Sequence, residues 1–399
     1  MPIAALSLPT PIRRRPVIAP RDYALRDRAI ELYESGQYAE AMQATLAYIL
    51  PEAQIPALEQ QEFSFVQGSA RVRVRLDDAR LSLCTVLAEL VPETQATAAL
   101  RYFLTRLSST GQLYQPRLRD GRVTLEFSDA LALLHPSKFL EVLQRLPSDA
   151  DANDGWISEQ FGLRMTDREL PTPLDDAEFA LAFSLWQQHW RDVDELMVES
   201  RRRRSVRFLD ALGSFAVNQL RYTLPLYGPV RARLNQNAEE FDDHHAAPGK
   251  RDSALARCVR EMRQISADHL RECLGHARYA INPLQQGTPA IIGSVLGAGE
   301  GMQTTGKLRA TGRALEGALP LVADYLYLLA DHSWPEDVEA ALRAGLHQVS
   351  GKPWREALEL LWQHAHQVAR DFGSHDGAQR DDGEPAAGTD DTGAEPYND

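Results

Sequence analysis

The sequence predicts an α+β N-terminal domain followed by an all-helical C-terminal domain, because the hydrophobic period changes along the chain. From Arg71 to Phe127 apolar residues alternate with polar ones, as in strands with one face in water. From Asp175 to Phe372 they recur every three or four positions, as on helices. Composition sets the bounds: 399 residues suit about two domains, and a 44% apolar fraction is enough for packed cores.

The elements follow in order. Residues 1–20 hold Pro9, Pro11, Pro16 and Pro20 and read as a flexible, extended leading segment. Asp22 to Leu50 reads as two short helices broken at Gly36, with Ala29, Leu32 and Tyr33 on the first and Ala41, Met42, Leu46 and Ile49 on the second. "RVRVRL" sets Arg71, Arg73 and Arg75 against Val72, Val74 and Leu76, and Asp77 and Asp78 supply a turn. "RLSLCTVLA" puts Leu81, Leu83 and Leu87 on one face and Cys84 and Val86 on the other. Pro92 opens a helix carrying Ala98, Tyr102, Leu104 and Leu107. Asp120-Gly121 is a preferred two-residue turn, behind which Val123, Leu125 and Phe127 point inward. A closing helix starts at Pro136 with Phe139, Val142, Leu143 and Leu146 on one side. The α+β domain thus spans 21–165, as helix, three-strand meander, helix, hairpin and helix.

After Pro171 and Pro173 strands disappear. The stretch from Asp175 places Phe179, Phe183, Trp186, Trp190, Val193 and Met197 at helical spacing behind an acidic first turn. Six or seven helices are expected over 175–372. Residues 373–399 carry eight acids and one arginine with almost nothing apolar, the composition of a disordered acidic tail, and account for about half of the net charge of −13.

Two resemblances attach to these residues. "YESGQYAEAMQATLAYILP" looks like half of a tetratricopeptide repeat, with Gly36 at the turn and Ala41 at the small contact, although no 34-residue array follows. "TAALRYFLTRLSSTGQLYQPRLRDGRVTLEF" followed by "LHPSKFLEVLQRL" resembles the type III secretion chaperone-like fold, shared by small effector chaperones and YbjN-type regulator domains. That resemblance covers about Arg21 to Phe161. It implies a protein-binding module, often dimeric, with no catalytic residues.

Several motifs compete with a purely binding role. Gly301, Gly306 and Lys307 match most of the phosphate-loop pattern G-x-x-x-x-G-K-[ST], but Leu308 stands where a hydroxyl should hold magnesium. The neighbours read as helices, so no parallel sheet carries such a loop. Gly293, Gly297 and Gly301, spaced by four, are expected instead to let a helix approach a neighbour closely, or to form a loop. His269, Cys273 and His276 fall on one helical face beside Glu272, where zinc would want a fourth ligand; they continue a stripe from Cys258, Met262 and Ile265 and read better as core. Asp242 to His245, "DDHH", lies in a polar connection. Arg201–Arg204, reinforced by Arg207, could meet nucleic acid or an acidic protein, or simply neutralise Glu195 and Glu199 on a solvated helix face. The acidic total disfavours nucleic acid.

The expectation is a non-enzymatic protein with no catalytic, cofactor-binding or metal-ligating residues, acting on other proteins as chaperone, adaptor or regulator, and able to form a homodimer. The rival readings are an enzyme with its active site around the Gly-rich segment 293–307 and a nucleic-acid binder using Arg201–Arg204. Three scattered cysteines suit a reducing compartment, and neither a secretory signal nor a membrane-length apolar run is present, so the chain reads as cytoplasmic.

Overall fold

The computed structural model describes residues 4–14, 16–19, 22–56, 61–77, 79–107, 112–152, 156–242, 245–281, 285–297 and 299–373. An α+β half precedes a helical half, and each has its own core.

The first half begins with a helical hairpin, α1 (Tyr23–Glu34) and α2 (Tyr38–Ile49). α1 stops where Gly36 takes φ +79°, so that Gly36 and Gln37 donate their N–H groups to the carbonyls of Tyr33 and Leu32. The meander is β1 (Glu62–Gln67), β2 (Ala70–Leu76) and β3 (Arg80–Glu89). Then come α3 (Ala96–Leu107), β4 (Gln115–Arg119) and β5 (Arg122–Ala130). The sheet order is β1-β2-β3-β5-β4, antiparallel at every pairing. Asp120 and Gly121 both adopt positive φ (49° and 74°), the conformation the β4–β5 turn requires.

Alternation sorts the sheet. On the inner face Val74 lies opposite Leu83, and Leu83 opposite Phe127. α4 (Pro136–Ala152) crosses that face, burying Phe139, Val142, Leu143 and Leu146 against β1, β2, β3 and β5. A register shift between Val86 and Ala88 in β3 lets Leu87 remain buried beyond it. α5 (Trp156–Phe161) completes this half.

The helical half starts from β6 (Thr172–Pro173), whose next helix is α6 (Asp176–Arg203). Asp175 caps α6 reciprocally with Glu178, the arrangement that fixes a helix start. α7 (Val206–Thr223), α8 (Gly228–Asp242), α9 (Pro248–Arg263), α10 (Ala267–Glu272), β7 (Gly275–His276) and β8 (Gln285–Gln286) follow. The last part contains α11 (Pro289–Leu296), α12 (Glu300–Ala310), α13 (Ala314–Asp331), β9 (His332–Ser333), α14 (Glu336–Val349) and α15 (Trp354–Phe372). α7 and α13 lie side by side at the centre, with α6, α8 and α9 packed on α7 and α12, α14 and α15 on α13.

The architecture agrees with the fold class, and details differ. Ten helices, not six or seven, occupy 175–372 among the described residues. α8 is polar, with a narrow stripe of Val230, Leu234, Asn237 and Phe241 meeting the core. The helical stripe read from Cys258 to His276 breaks between Arg263 and Ala267, where Ser266 caps a new short helix. The Gly-rich segment is neither one helix nor a loop: it forms α11 and α12, and Gly297 sits at the C-cap of α11.

The leading segment also departs from expectation, over residues 4–14 and 16–19. Leu6 and Leu8 are buried in the helical core, and the Leu8 N–H donates to Ser350 Oγ at 2.9 Å. Ile12 and Arg13 donate to the Thr223 carbonyl, and Val17 pairs with Tyr279 as a short bridge. Burial of the two leucines and these backbone bonds offset the entropy of ordering. In return Ile281 reaches from the helical half into the α+β core, its N–H donating to Gln67 Oε1. The acidic tail beyond Gly373 lies outside the described residues.

Candidate functional site

The helices of the α+β half pack on one side of the sheet, and the opposite face carries its polar chemistry. Because Val72 and Val74 point inward, Arg71, Arg73 and Arg75 must point outward from β2. The pairing places Cys84 beside Arg73, Glu126 beside Cys84, and Gln115 beside Glu126 in one row across four strands. Residues 163–170 then return along this face. Arg164 and Glu89 exchange backbone hydrogen bonds at 2.8 and 3.0 Å. Asp167 reaches Arg73 at 2.5 Å, and Glu169 reaches Arg71 at 3.2 Å. Glu62 stands 3.4 Å from Arg75, and Glu126 serves both Arg117 and Arg119.

Between these side chains runs an open groove of about 610 Å³, lined by Arg71, Arg73, Arg75, Ser82, Cys84 and Asp167. Burial, and secondarily Glu126, pushes the Cys84 thiol above its ordinary range. It is therefore a protonated thiol at neutral pH and a poor nucleophile. The arginines of the ladder are more than a third exposed, so each ion pair contributes little, about 0 to 1 kcal/mol. Such carboxylates can be exchanged for those of a partner at small cost.

The residues singled out by sequence lie elsewhere and do not converge. Gly301 lies in the first turn of α12, where its N–H has no partner within the helix, whereas Gly306 and Lys307 lie further along it, and Lys307 is exposed in the last turn. The stretch is helical from Glu300 through Lys307, so it does not form the loop between a strand and a helix that cradles phosphate. A Cβ on Gly301 would meet only the Arg207 guanidinium, at 3.9 Å, whereas one on Gly306 would meet the Trp362 ring at 2.9 Å. The glycine of close helix approach is thus Gly306, not Gly297.

Arg201 pairs with Asp252 at 3.1 Å, Arg202 with Glu199 at 3.4 Å, and Arg203 with both Glu199 and Glu316 at 3.2 and 3.1 Å. Arg204 closes α6 in the left-handed conformation. The run is engaged by its own protein, through Glu199 rather than Glu195. His269, Cys273 and His276 do not share a helix face, because α10 ends at Glu272 and His276 lies in β7. Among the described residues no group of three or more His, Cys, Asp or Glu is placed to hold a metal ion. Of "DDHH", Asp243 and His244 lie outside the described residues.

What sequence reasoning missed is the role of Asp167 and Glu169. They sit in a stretch that reads as a linker, and nothing in local spacing ties residue 167 to residue 73. No helix among the described residues is long and apolar enough to cross a membrane. No protein-family model matches this chain, and a search of curated proteins returns no match.

Proposed function

We propose that this chain is a non-enzymatic binding protein that engages other proteins, as chaperone, adaptor or regulator, through the outer face of its five-stranded sheet. The observation that supports this reading is the open groove beside the Arg71–Arg73–Arg75 ladder, whose exposed charges are held only by weak, exchangeable pairs. The resemblance to type III secretion chaperone-like and YbjN-type domains points the same way, and a second copy of the chain is one candidate partner. A partner segment bearing carboxylates would replace Asp167, Glu169 and Glu62, and charge complementarity would set its register more than its affinity. Cys84, Cys258 and Cys273 are not joined in disulfides, which supports a cytoplasmic setting.

The test is a photo-crosslinking amino acid at Ser82, in the groove, compared with one at Leu181, exposed on α6. Ser82 is expected to trap discrete protein partners, or a second copy, that Leu181 does not. Arg73→Glu with Arg75→Glu should abolish those adducts. Identical adducts from both positions, or adducts indifferent to the charge reversal, would exclude the sheet face as the binding surface.

A further inference from the structure

A second concavity lies in the helical half, remote in sequence from the sheet face. α7, α8, α12 and α13 line an open cleft of about 490 Å³, within the range of small-molecule sites. Phe241, Pro320 and Ala323 give it an apolar wall, and Arg207, Asp210, Glu300 and Asp324 supply its charges.

Two of these four groups are already engaged. Arg207 donates to the Gly301 carbonyl at 2.7 Å and to Thr305 Oγ1 at 3.0 Å. Asp210 accepts from Arg251, a buried guanidinium behind it. Glu300 is exposed at the rim. Asp324 is different: it is partly buried, no described residue donates a hydrogen bond to its carboxylate, and Arg207 is the one charge lowering its pKa. Burial pushes that carboxyl up to about 7. An ionised carboxylate removed from water without a donor is costly, and such a group facing a cleft marks a place where a ligand supplies the missing donor.

We propose that this cleft binds a small alkylammonium ligand, its charged head on Asp324 with Glu300 as a second acceptor, and its hydrocarbon part over Phe241 and Pro320. A cation fits better than an anion because three of the four charged groups on the cleft are carboxylates, because Arg207 already engages Gly301 and Thr305 through its Nη2, and because Asp324 has no donor to accept from. This site is independent of the protein-binding reading.

The experiment uses the full chain and n-butylammonium chloride as probe, with sodium chloride at equal ionic strength as control. Calorimetric titration and thermal unfolding are run at pH 8 and pH 5.5. At pH 8 the amine should bind saturably and raise the melting temperature. At pH 5.5, with Asp324 mostly protonated, binding should weaken by about tenfold or more. Asp324→Asn, which keeps the shape of the side chain, should abolish the titration. Gly301→Phe is a second variant: the backbone there has room for a side chain, so the ring should fill the cleft and block the amine without unfolding α12. Equal binding by the wild type and either folded variant, or no effect of the amine beyond that of sodium chloride, would overturn the proposal.

Discussion

Among the described residues of the α+β half the buried polar ones are Thr45, Gln67, Ser69, Thr85 and Thr124, all uncharged. In the helical half they include His189, Asp192, Glu199, Arg251, Glu316 and Glu339. The contrast follows from geometry. A strand of period two can send every charge to one face, and β2 does so with its three arginines. Helices surrounded by neighbours, as α7 and α13 are, have no such face to spare, so charge enters the core, and Glu199, Arg251, Glu316 and Glu339 each bring an ion-pair partner. Glu316 is held between Arg203 and Arg313, and the Arg313 guanidinium keeps its carboxyl below the usual range. Glu199 sits between Arg202 and Arg203. A buried charge is tolerated when it is paired and hydrogen-bonded.

The sharpest way to break this comparison is on the sheet itself. Phe127 is 5% exposed on the inner face, and Phe127→Ala should cost on the order of 3 to 5 kcal/mol in urea unfolding. Arg73→Ala, two strands away on the outer face, should cost less than about 1 kcal/mol. Comparable losses would mean that the two faces are not sorted as described.

The next effect belongs to the buried polar groups of the helical half. Burial pushes the His189 imidazole down to about 4, against an ordinary value of 6.5, while Ala216 and Gln219 hold its ring nitrogens. The unfolded chain therefore binds a proton between these values that the native chain does not. Stability from this site is complete above about pH 6.5 and is lost as pH falls toward 4, by about 3 kcal/mol in total. Unfolding free energies measured across that window should fall for the wild type and fall less for His189→Gln. Parallel profiles would mean that His189 is protonated in the native state.

A smaller effect separates two glycines of the same helix. Gly306→Leu drives a side chain into Trp362 and should cost about 1 to 3 kcal/mol. Gly301→Ala has space and should be neutral or slightly stabilising. A thermal melt of each distinguishes helix contact from simple helix propensity.

These residues also mark what could be read in advance. The faces of β2, β3 and β5, the Asp120-Gly121 turn, the stop at Gly36 and the cap at Asp175 are local signals, set by period two, positive φ or a side chain three residues away. The three helices that escaped notice lack such signals. α8 shows only a thin apolar stripe, and α11 and α12 lie in glycines that weaken helix propensity. The sites depend on distance in space. Asp324 lies in "LPLVADYLYLLAD", where it reads as an interruption of an apolar stripe, and only the arrival of α7 and α12 gives it a cleft. Asp167 likewise gains meaning only from Arg73.

The seating of Leu6 and Leu8 bears on the order in which the chain can be assembled. The Leu8 N–H is held by Ser350, 342 positions later. During synthesis at about 5 to 20 residues per second, the leucines wait many seconds outside the ribosome before that partner emerges. The α+β half can collapse meanwhile, with the site of Ile281, the one core residue it takes from the helical half among the described residues, still unfilled. The helical half cannot close over Leu6 and Leu8 until Ser350 has been made, so these leucines find their place only after the 342 positions that separate Leu8 from Ser350 have been synthesised.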